Sequence, residues 1–163
     1  MSSNFVSRAA PAGGVDADGG WAGFQSAQRS ALAALVAGDP GPFQRMWDQG
    51  PQVSLLGAFG GVAQGWEDVR DRLTAVAAAY ANGAYRRLDH LHEHVHGDMA
   101  YTVHVEEIHS RAPTGELEVR ERRVTKVYGR SDAGWRILHM HSDPLIATDL
   151  PVRDHRPEPT HEG

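Results

Sequence analysis

The stretch that decides the fold is residues 85–142, which read YRRLDHLHEHVHGDMAYTVHVEEIHSRAPTGELEVRERRVTKVYGRSDAGWRILHMHS. Polar and apolar residues alternate along most of it, and a period of two is typical of β-strands. Turn-forming residues interrupt the alternation at 97–98, 113–115 and 131–134. We therefore predict four consecutive antiparallel strands, Tyr85 to His96, Met99 to Ser110, Leu117 to Arg130 and Trp135 to Ser142.

Helical patterns precede this meander. Apolar residues recur at helical spacing from Gly20 to Ala37 and from Trp66 to Ala81, and Pro42 to Trp47 forms a shorter segment with proline in its first turn. Val53 to Leu56 and Val62 to Gln64 predict a short hairpin. A long meander must bury one face, and the helices are its only cover. We predict an α+β fold in which helices pack on the concave face of a curved antiparallel sheet and leave a cone-shaped pocket.

Length and composition limit the classes of function. The 163 residues predict one domain at 19–148, with a disordered segment at 1–18 and a flexible tail at 149–163. The chain has no cysteine, which excludes disulfides and thiolate chemistry, and its net charge of -5 argues against a nucleic-acid partner. No apolar run approaches the roughly 18 residues of a membrane span, and no signal-peptide pattern is present, so we expect a cytoplasmic protein. No phosphate loop or dinucleotide fingerprint occurs, so no cofactor is expected.

Several motifs resemble the nuclear-transport-factor-two-like superfamily, and in particular its SnoaL-like branch. They are VSLLGAFGG at 53–61, GWEDV at 65–69, GDMAY at 97–101, RVT at 123–125 and GWRILHMHSD at 134–143. The resemblance covers residues 20–146 and implies a pocket for a small apolar or aromatic ligand, and a homodimer. The superfamily includes polyketide cyclases, ketosteroid isomerases, epoxide hydrolases, dehydratases and non-catalytic oligomerisation hubs, so the fold does not select an activity.

The catalytic sets of this superfamily do not carry over whole. The ketosteroid isomerases pair a carboxylate base with a tyrosine and a second acid, and the epoxide hydrolases use an Asp-Arg-Asp set. Neither set can be matched residue by residue in this sequence. In the similar hub domain of the calcium/calmodulin-dependent kinase, a pocket arginine stands at the position of Lys126 and a second falls near Glu106. The opposite charge of Glu106 means that the anionic-ligand chemistry of the hub is not transferred as it stands.

The predicted turns set the strand register, and the register assigns side chains to faces of the sheet. A three-residue turn at 113–115 places Glu106 opposite Arg122, and the turn at 131–134 pairs Arg130 with Trp135. We assign the face that mixes aromatic and ionisable groups to the pocket. The residues predicted on it are Thr102, His104, Glu106, Arg122, Val124, Lys126, Tyr128, Trp135, Ile137, His139 and His141. The other face, which includes Tyr101, Val103, Met140 and Ser142, is predicted to suit a dimer contact.

Five residues of the pocket face are candidates for catalysis. Glu106 could act as a general base, with Arg122 or Lys126 as its electrostatic partner, and His104 or His139 could carry protons. A structural ion pair and satisfied core histidines are the alternatives. Ligand-contacting positions are predicted at Trp66, Tyr80, Thr102, Tyr128, Trp135 and His141.

The histidines at 90, 92, 94 and 96 alternate along one strand and are predicted to share one face. Imidazoles two residues apart can hold zinc or nickel, but the turn at 97–98 places this face opposite Glu106. We therefore predict a polar strand surface or a pH-sensitive dimer edge, and no catalytic metal.

Two functions remain open from the sequence. The first is a small enzyme that performs cofactor-free isomerisation, cyclisation or dehydration on an apolar oxygenated substrate. The second is a non-catalytic ligand-binding or oligomerisation module.

Overall fold

A computed structural model describes residues 20–80 and 82–146. The predicted disordered segment at 1–18 and the predicted tail at 149–163 lie outside the described residues. The elements are α1 Gly20–Ala37, α2 Gly41–Gln44, β1 Ser54–Leu56, β2 Val62–Gln64, α3 Trp66–Tyr80, β3 Ala84–His96, β4 Met99–Arg111, β5 Leu117–Ser131 and β6 Gly134–Pro144. The predicted order of helices and strands is confirmed.

The second helix is shorter than predicted, because the chain after it pairs with the sheet. The backbone N–H of Ile137 donates to the Met46 carbonyl at 2.8 Å, and the N–H of Asp48 donates to the Ile137 carbonyl at 3.0 Å. These bonds form an isolated parallel bridge between Trp47 and Ile137 of β6. A helix running to Trp47 would forfeit both of them.

All six strands form one sheet in the order β2-β1-β6-β5-β4-β3. Every neighbouring pair is antiparallel except β1 and β6, which run parallel. The sheet is therefore mixed, whereas the sequence predicted an antiparallel one, and the α+β class is confirmed. Within the described ranges, no helix is long and apolar enough to cross a membrane.

The core lies between the helices and one face of the sheet, which we call the inner face. Leu32 and Leu35 of α1 and Leu73 of α3 pack with Val124 and Ile137 of the sheet, and none of these side chains is more than 2% exposed. Burial of such side chains contributes about 1.5–3 kcal/mol each. The hydrophobic effect therefore fixes which face of the meander is buried.

The predicted register of β4 and β5 is confirmed. Glu106 lies opposite Arg122, His104 opposite Val124, and Thr102 opposite Lys126. These residues all lie on the inner face and are buried.

The predicted assignment of β6 side chains to the inner and outer faces is wrong beyond the middle of the strand, where a β-bulge occurs. Tyr128 pairs with Ile137, but Val127 pairs with His139, so Leu138 is an extra residue in β6. A bulge moves all later side chains to the opposite face. His139 and His141 consequently lie on the outer face, whereas the inner face carries Met140 and Ser142, which pair with Lys126 and Val124.

Two contacts explain why the bulge lies at Leu138. A Cβ atom on Gly129 would come within 2.9 Å of the Leu138 side chain, so the glycine leaves the space that this side chain fills. The bulge also lies where β6 changes its edge partner, from residues 46–48 at Ile137 to β1 at His139.

The histidine ladder of β3 is also divided by a bulge. His92, His94 and His96 pair with Val103, Tyr101 and Met99 as predicted. A register shift at Leu91 places His90 opposite His104, on the inner face. The prediction that all four histidines share one face is therefore wrong for His90.

Candidate functional site

The inner face carries a cluster of buried ionisable residues around Glu106. Its Oε2 atom accepts hydrogen bonds from Nε and Nη2 of Arg122 at 2.9 and 2.7 Å. Its Oε1 atom lies 2.8 Å from Nε2 of His104 and accepts a hydrogen bond from Nζ of Lys126 at 3.2 Å. The four side chains are at most 5% exposed. The sequence thus identified four residues that the fold brings together.

The ionisation of Glu106 is fixed by its neighbours. Burial alone would raise its pKa, but the ammonium of Lys126 and the guanidinium of Arg122 hold the pKa well below its ordinary value. The carboxylate has no exposed surface. A carboxylate this weakly basic is poorly matched to proton abstraction at neutral pH. Both oxygens of the Glu106 carboxylate are hydrogen-bonded within the cluster, which is the arrangement of a buried ion pair.

His104 is held neutral in this cluster. Burial lowers its pKa, and the charge of Lys126 lowers it further. Its Nε2 atom faces both an oxygen of Glu106 and, at 3.3 Å, Nζ of Lys126. The neutral tautomer with a proton on Nε2 donates to Glu106, since a lone pair there would face the carboxylate. The ammonium of Lys126 is then next to an N–H and does not donate to it.

Two tyrosines border the cluster. The Tyr80 hydroxyl accepts a hydrogen bond from Nη1 of Arg122 at 2.9 Å. Burial raises the pKa of Tyr80 against the opposing effect of Arg122, so the hydroxyl keeps its proton. Burial also raises the pKa of Tyr85, and the charge of Glu106 adds to that effect. The Tyr85 hydroxyl is buried close to Glu106 without forming a well-aligned hydrogen bond in the described part of the chain.

A cavity of about 310 Å³ lies beside this cluster. It opens where β5 extends past the end of β6, between the β1–β2 loop and the end of α3. Its walls are formed by Ala58, Phe59, Tyr80, Val119, Arg120, Glu121, Arg122, Pro144, Leu145 and Ile146. The volume is at the lower end of the range for small-molecule sites, as is expected for a ligand of modest size.

Arg120 and Phe59 form one wall of this cavity. The guanidinium of Arg120 lies 5.5 Å from the ring centre of Phe59 and 5.7 Å from that of Tyr80. It also donates to Ser110 at 2.6 Å and pairs with Glu118. The loop that carries Phe59 is tied to β6, because the N–H of Ala58 donates to Oγ of Ser142 at 3.1 Å. An arginine beside two aromatic rings presents a positioned cation next to apolar surface.

The family model for the SnoaL-like domain matches residues 25–147. This match includes every strand and most of α1. The chain belongs to the SnoaL-like domain family.

Solved structures share the fold of this chain. A nuclear transport factor 2 (NTF2-like) superfamily protein from Salmonella enterica has a TM-score of 0.65 and 18% identity, with 78% of this chain and 94% of that chain covered. A ketosteroid isomerase-like protein from Erwinia carotovora has a TM-score of 0.63 and 13% identity, with coverage of 76% and 95%. The CaMKII hub from S. rosetta has a TM-score of 0.59 and 20% identity, with coverage of 74% and 93%. A comparison with curated proteins found no match.

Three predicted ligand contacts of the SnoaL-like domain lie in its interior, away from the cavity walls. The Tyr128 hydroxyl lies 3.0 Å from Oγ1 of Thr102 and 3.2 Å from the Gln28 amide. Trp135 packs edge-to-face against Trp21 with ring centres 4.9 Å apart. These groups complete the core, where a buried hydroxyl needs a partner.

Other predicted site residues of the SnoaL-like domain are also separated from the cavity. Trp66 begins α3 and is partly buried against the core. Nδ1 of His139 lies 2.8 Å from Oγ of Ser54 on β1, and burial and His141 lower the pKa of His139. The predicted pocket positions of His139 and His141 are wrong because of the bulge at Leu138.

The remaining features concern metals and residues that the prediction missed. Within residues 20–80 and 82–146, no group of three or more His, Asp or Glu side chains is arranged to hold a metal ion. Arg120 and Phe59 were not predicted as site residues. A signal for Arg120 was available, since it is two residues from Arg122 on the same strand and so shares its face. Phe59 is an aromatic residue of the VSLLGAFGG motif at 53–61, and its residue type alone favoured a position in the core or the pocket wall.

Proposed function

We propose that this SnoaL-like domain binds a small apolar molecule that carries an oxygen-rich or acidic group, in the cavity beside Tyr80 and Arg120. In this proposal the Glu106 cluster is structural. It holds Arg122 and Tyr80 in fixed positions and is not the base of a reaction.

The observation that carries the proposal is the hydrogen bonding of Tyr80. In the described residues its hydroxyl accepts a bond from Arg122, and no acceptor is present for its own proton. Because the residue lines the cavity, that proton is available to an oxygen atom of a ligand. A cation that donates to a phenol oxygen strengthens the phenol as a donor.

The composition of the cavity wall supports the same ligand class. Phe59, Val119 and Leu145 supply apolar surface, and the guanidinium of Arg120, which is also paired with Glu118, lies beside it. Glu121, the one carboxylate among the described residues of the wall, lies 3.2 Å from Arg87, so its charge is partly offset. An apolar acid or a related oxygenated molecule meets both parts of the wall.

Titration calorimetry with matched ligand pairs tests the proposal. The pairs are aliphatic and aromatic carboxylates and the corresponding alcohols. Arg120→Met and Tyr80→Phe should each weaken carboxylate binding about 10–100-fold, the effect of removing a hydrogen bond to a charged group. Arg123→Met is the matched control, because Arg123 lies on the outer face in an exposed pair with Asp143. Equal effects of Arg120→Met and Arg123→Met on carboxylate binding, or no binding of either the acids or the alcohols, would refute the proposal.

The same ligands distinguish binding from catalysis. The binding proposal expects the ligand to be recovered unchanged after long incubation. Turnover that is lost in Glu106→Gln, while the variant remains folded, would restore Glu106 as the base of an isomerase, cyclase or dehydratase.

We also propose a homodimer formed through the outer face of the sheet. Met99 and Tyr101 on this face of β4 are 49% and 37% exposed. One of the similar solved structures is a CaMKII hub. Light scattering during size-exclusion chromatography should give twice the monomer mass. Tyr101→Glu should lower it and Thr114→Glu, in the β4–β5 turn, should not. A monomeric mass for the unmodified chain would exclude the dimer.

A further inference from the structure

The cavity beside Tyr80 leaves apolar side chains in contact with water. Three of its wall residues, Phe59, Val119 and Ile146, are 47%, 53% and 75% exposed. Apolar residues that cluster on a surface usually mark a place that another group covers. The covering group is not among residues 20–80 and 82–146, since these side chains are exposed in their presence.

The polar part of the same wall has unused hydrogen-bond donors. Nη1 of Arg120 donates to Oγ of Ser110 at 2.6 Å, and Nη2 pairs with Glu118. A guanidinium carries several further N–H groups, and no acceptor for them is recorded in the described part of the chain. A group that covers this wall should therefore bring an acceptor as well as apolar surface. A carboxylate is the strongest acceptor for a guanidinium.

The chain itself continues from the wall of the cavity. Residues 144–146 line the cavity, and the described part of the chain ends with them. The next four residues, 147–150, read ATDL. Because a chain extends at most about 3.3–3.6 Å per residue, Asp149 and Leu150 lie within roughly 14 Å of Ile146.

Residues 147–150 have the chemistry that the wall requires. Asp149 supplies a carboxylate, and Leu150 supplies an apolar side chain next to it. An acid beside an apolar group is also the class of ligand proposed for this cavity. Because the segment is attached at the wall, its effective concentration there is on the order of millimolar, which favours it over a free molecule of the same kind.

We propose that residues 147–150 of this chain fold back over the cavity and occupy it in the absence of ligand, an inference that rests on the proposed ligand site. Asp149 accepts hydrogen bonds from Arg120, and Leu150 packs on Phe59. A ligand has to displace the segment, so the chain carries its own competitive inhibitor. The first two residues of the tail predicted at 149–163 are held on the domain in this arrangement.

Backbone ¹⁵N relaxation of the full chain tests the contact without any ligand. Residues 148–150 should have order parameters above about 0.6, the value below which a backbone is flexible. Asp149→Asn should shift the amide resonances of Phe59 and Arg120. Asp154→Asn removes the same charge outside the segment and should not shift them. Order parameters below about 0.6, or equal shifts in the two variants, would overturn the proposal.

Dilution of the same sample distinguishes the other possible occupant. Order parameters and resonances that do not change on dilution support a contact within one chain. Resonances of residues 148–150 that change with protein concentration would assign the segment to the cavity of a second copy, and would overturn the proposal.

Titration calorimetry with aliphatic and aromatic carboxylates measures the competition. Asp149→Asn should tighten carboxylate binding about 3–10-fold, the effect expected when about 70–90% of the cavities are occupied by the segment before ligand is added. Asp154→Asn is the matched control and should leave the affinity unchanged. In Arg120→Met, the addition of Asp149→Asn should have no further effect, because the partner of the carboxylate is absent.

The two measurements separate this inference from the proposed function. Equal carboxylate affinities in Asp149→Asn and Asp154→Asn would overturn the inference and leave the ligand site intact. Absence of carboxylate binding in every variant would refute the ligand site. The order parameters would then still decide whether residues 148–150 occupy the cavity.

Discussion

Glu106 and Arg122 lie directly opposite each other on β4 and β5, and one carboxylate oxygen accepts two hydrogen bonds from the guanidinium, at 2.7 and 2.9 Å. The other oxygen faces His104 and Lys126. One carboxylate therefore holds two cations inside the core.

Glu106→Gln should destabilise the fold by about 3–5 kcal/mol, because both cations would remain buried without their anion. Urea denaturation measures this loss of unfolding free energy. Glu107→Gln is the matched control on the outer face, where the carboxylate is partly exposed beside His109 and Arg87. We expect about 0–1 kcal/mol there. Similar losses in the two variants would show that the buried cluster contributes no more than a surface pair.

Stability should fall as the pH drops below about 6.5, the unfolded pKa of histidine. Burial lowers the pKa of His104, so between the folded and unfolded values the unfolded chain binds the proton more tightly. Glu106 also has a lowered pKa. Its contribution is present above the unfolded value of 4.5 and is lost as the pH falls through the lower folded value.

Urea unfolding between pH 5 and pH 7.5 tests this dependence. His104→Gln, whose amide can still donate to Glu106, should flatten the slope. His92→Gln, on the exposed part of β3, should leave it unchanged. His139 also has a lowered pKa, so some slope should remain in His104→Gln. An identical slope in His104→Gln and the unmodified protein would contradict the prediction.

The bulge at Leu138 predicts opposite outcomes for neighbouring positions of β6. Met140 is 4% exposed on the inner face, and Met140→Ala should cost about 2–5 kcal/mol. His141 is exposed, and His141→Ala should change the unfolding free energy by less than about 0.5 kcal/mol. A larger loss of stability in His141→Ala than in Met140→Ala would support the faces that the sequence predicted, with His141 inside and Met140 outside.

Phe59 should affect ligand binding without affecting stability. The residue is 47% exposed, and its ring lies 5.5 Å from the Tyr80 ring, at the wall of the cavity beside Tyr80. Phe59→Ala should weaken carboxylate binding about 10-fold by removing an aromatic contact of about 1–1.5 kcal/mol. Val62→Ala, on the exposed edge strand β2, is the control and should bind like the unmodified protein. Unchanged affinity in Phe59→Ala would show that the loop between β1 and β2 does not contact the ligand.

Most of the fold could be predicted because it depends on local signals. The turn at 113–115 fixes the pairing of β4 with β5, and that pairing brings Glu106, Arg122 and Lys126 together. The hydrophobic pattern then decides which face is buried.

The errors arose where distant contacts act on the backbone. Leu138 is extra in β6 because Gly129 leaves room for it and because the edge partner of β6 changes there. Leu91 is extra in β3, and His90 therefore turns inward. A bulge adds no residue type that a period-two pattern would reveal, so the faces of His90, His139 and His141 could not be predicted.

The bulge at Leu138 has a consequence for alignments of this family. Before the bulge, the register set by the turn at 131–134 decides which side chains of β6 face inward. After the bulge, the pairing with β1 decides it. A relative that lacks the extra residue would match this sequence correctly over the first half of β6. If no gap is placed at Leu138, its inward-facing residues in the second half would be aligned with His139 and His141, which face outward here. Deletion of Leu138 would turn the side chains of His139 and His141 to the inner face. It should therefore destabilise the fold more than deletion of one residue in the β4–β5 turn, although Leu138 does not line the cavity beside Tyr80.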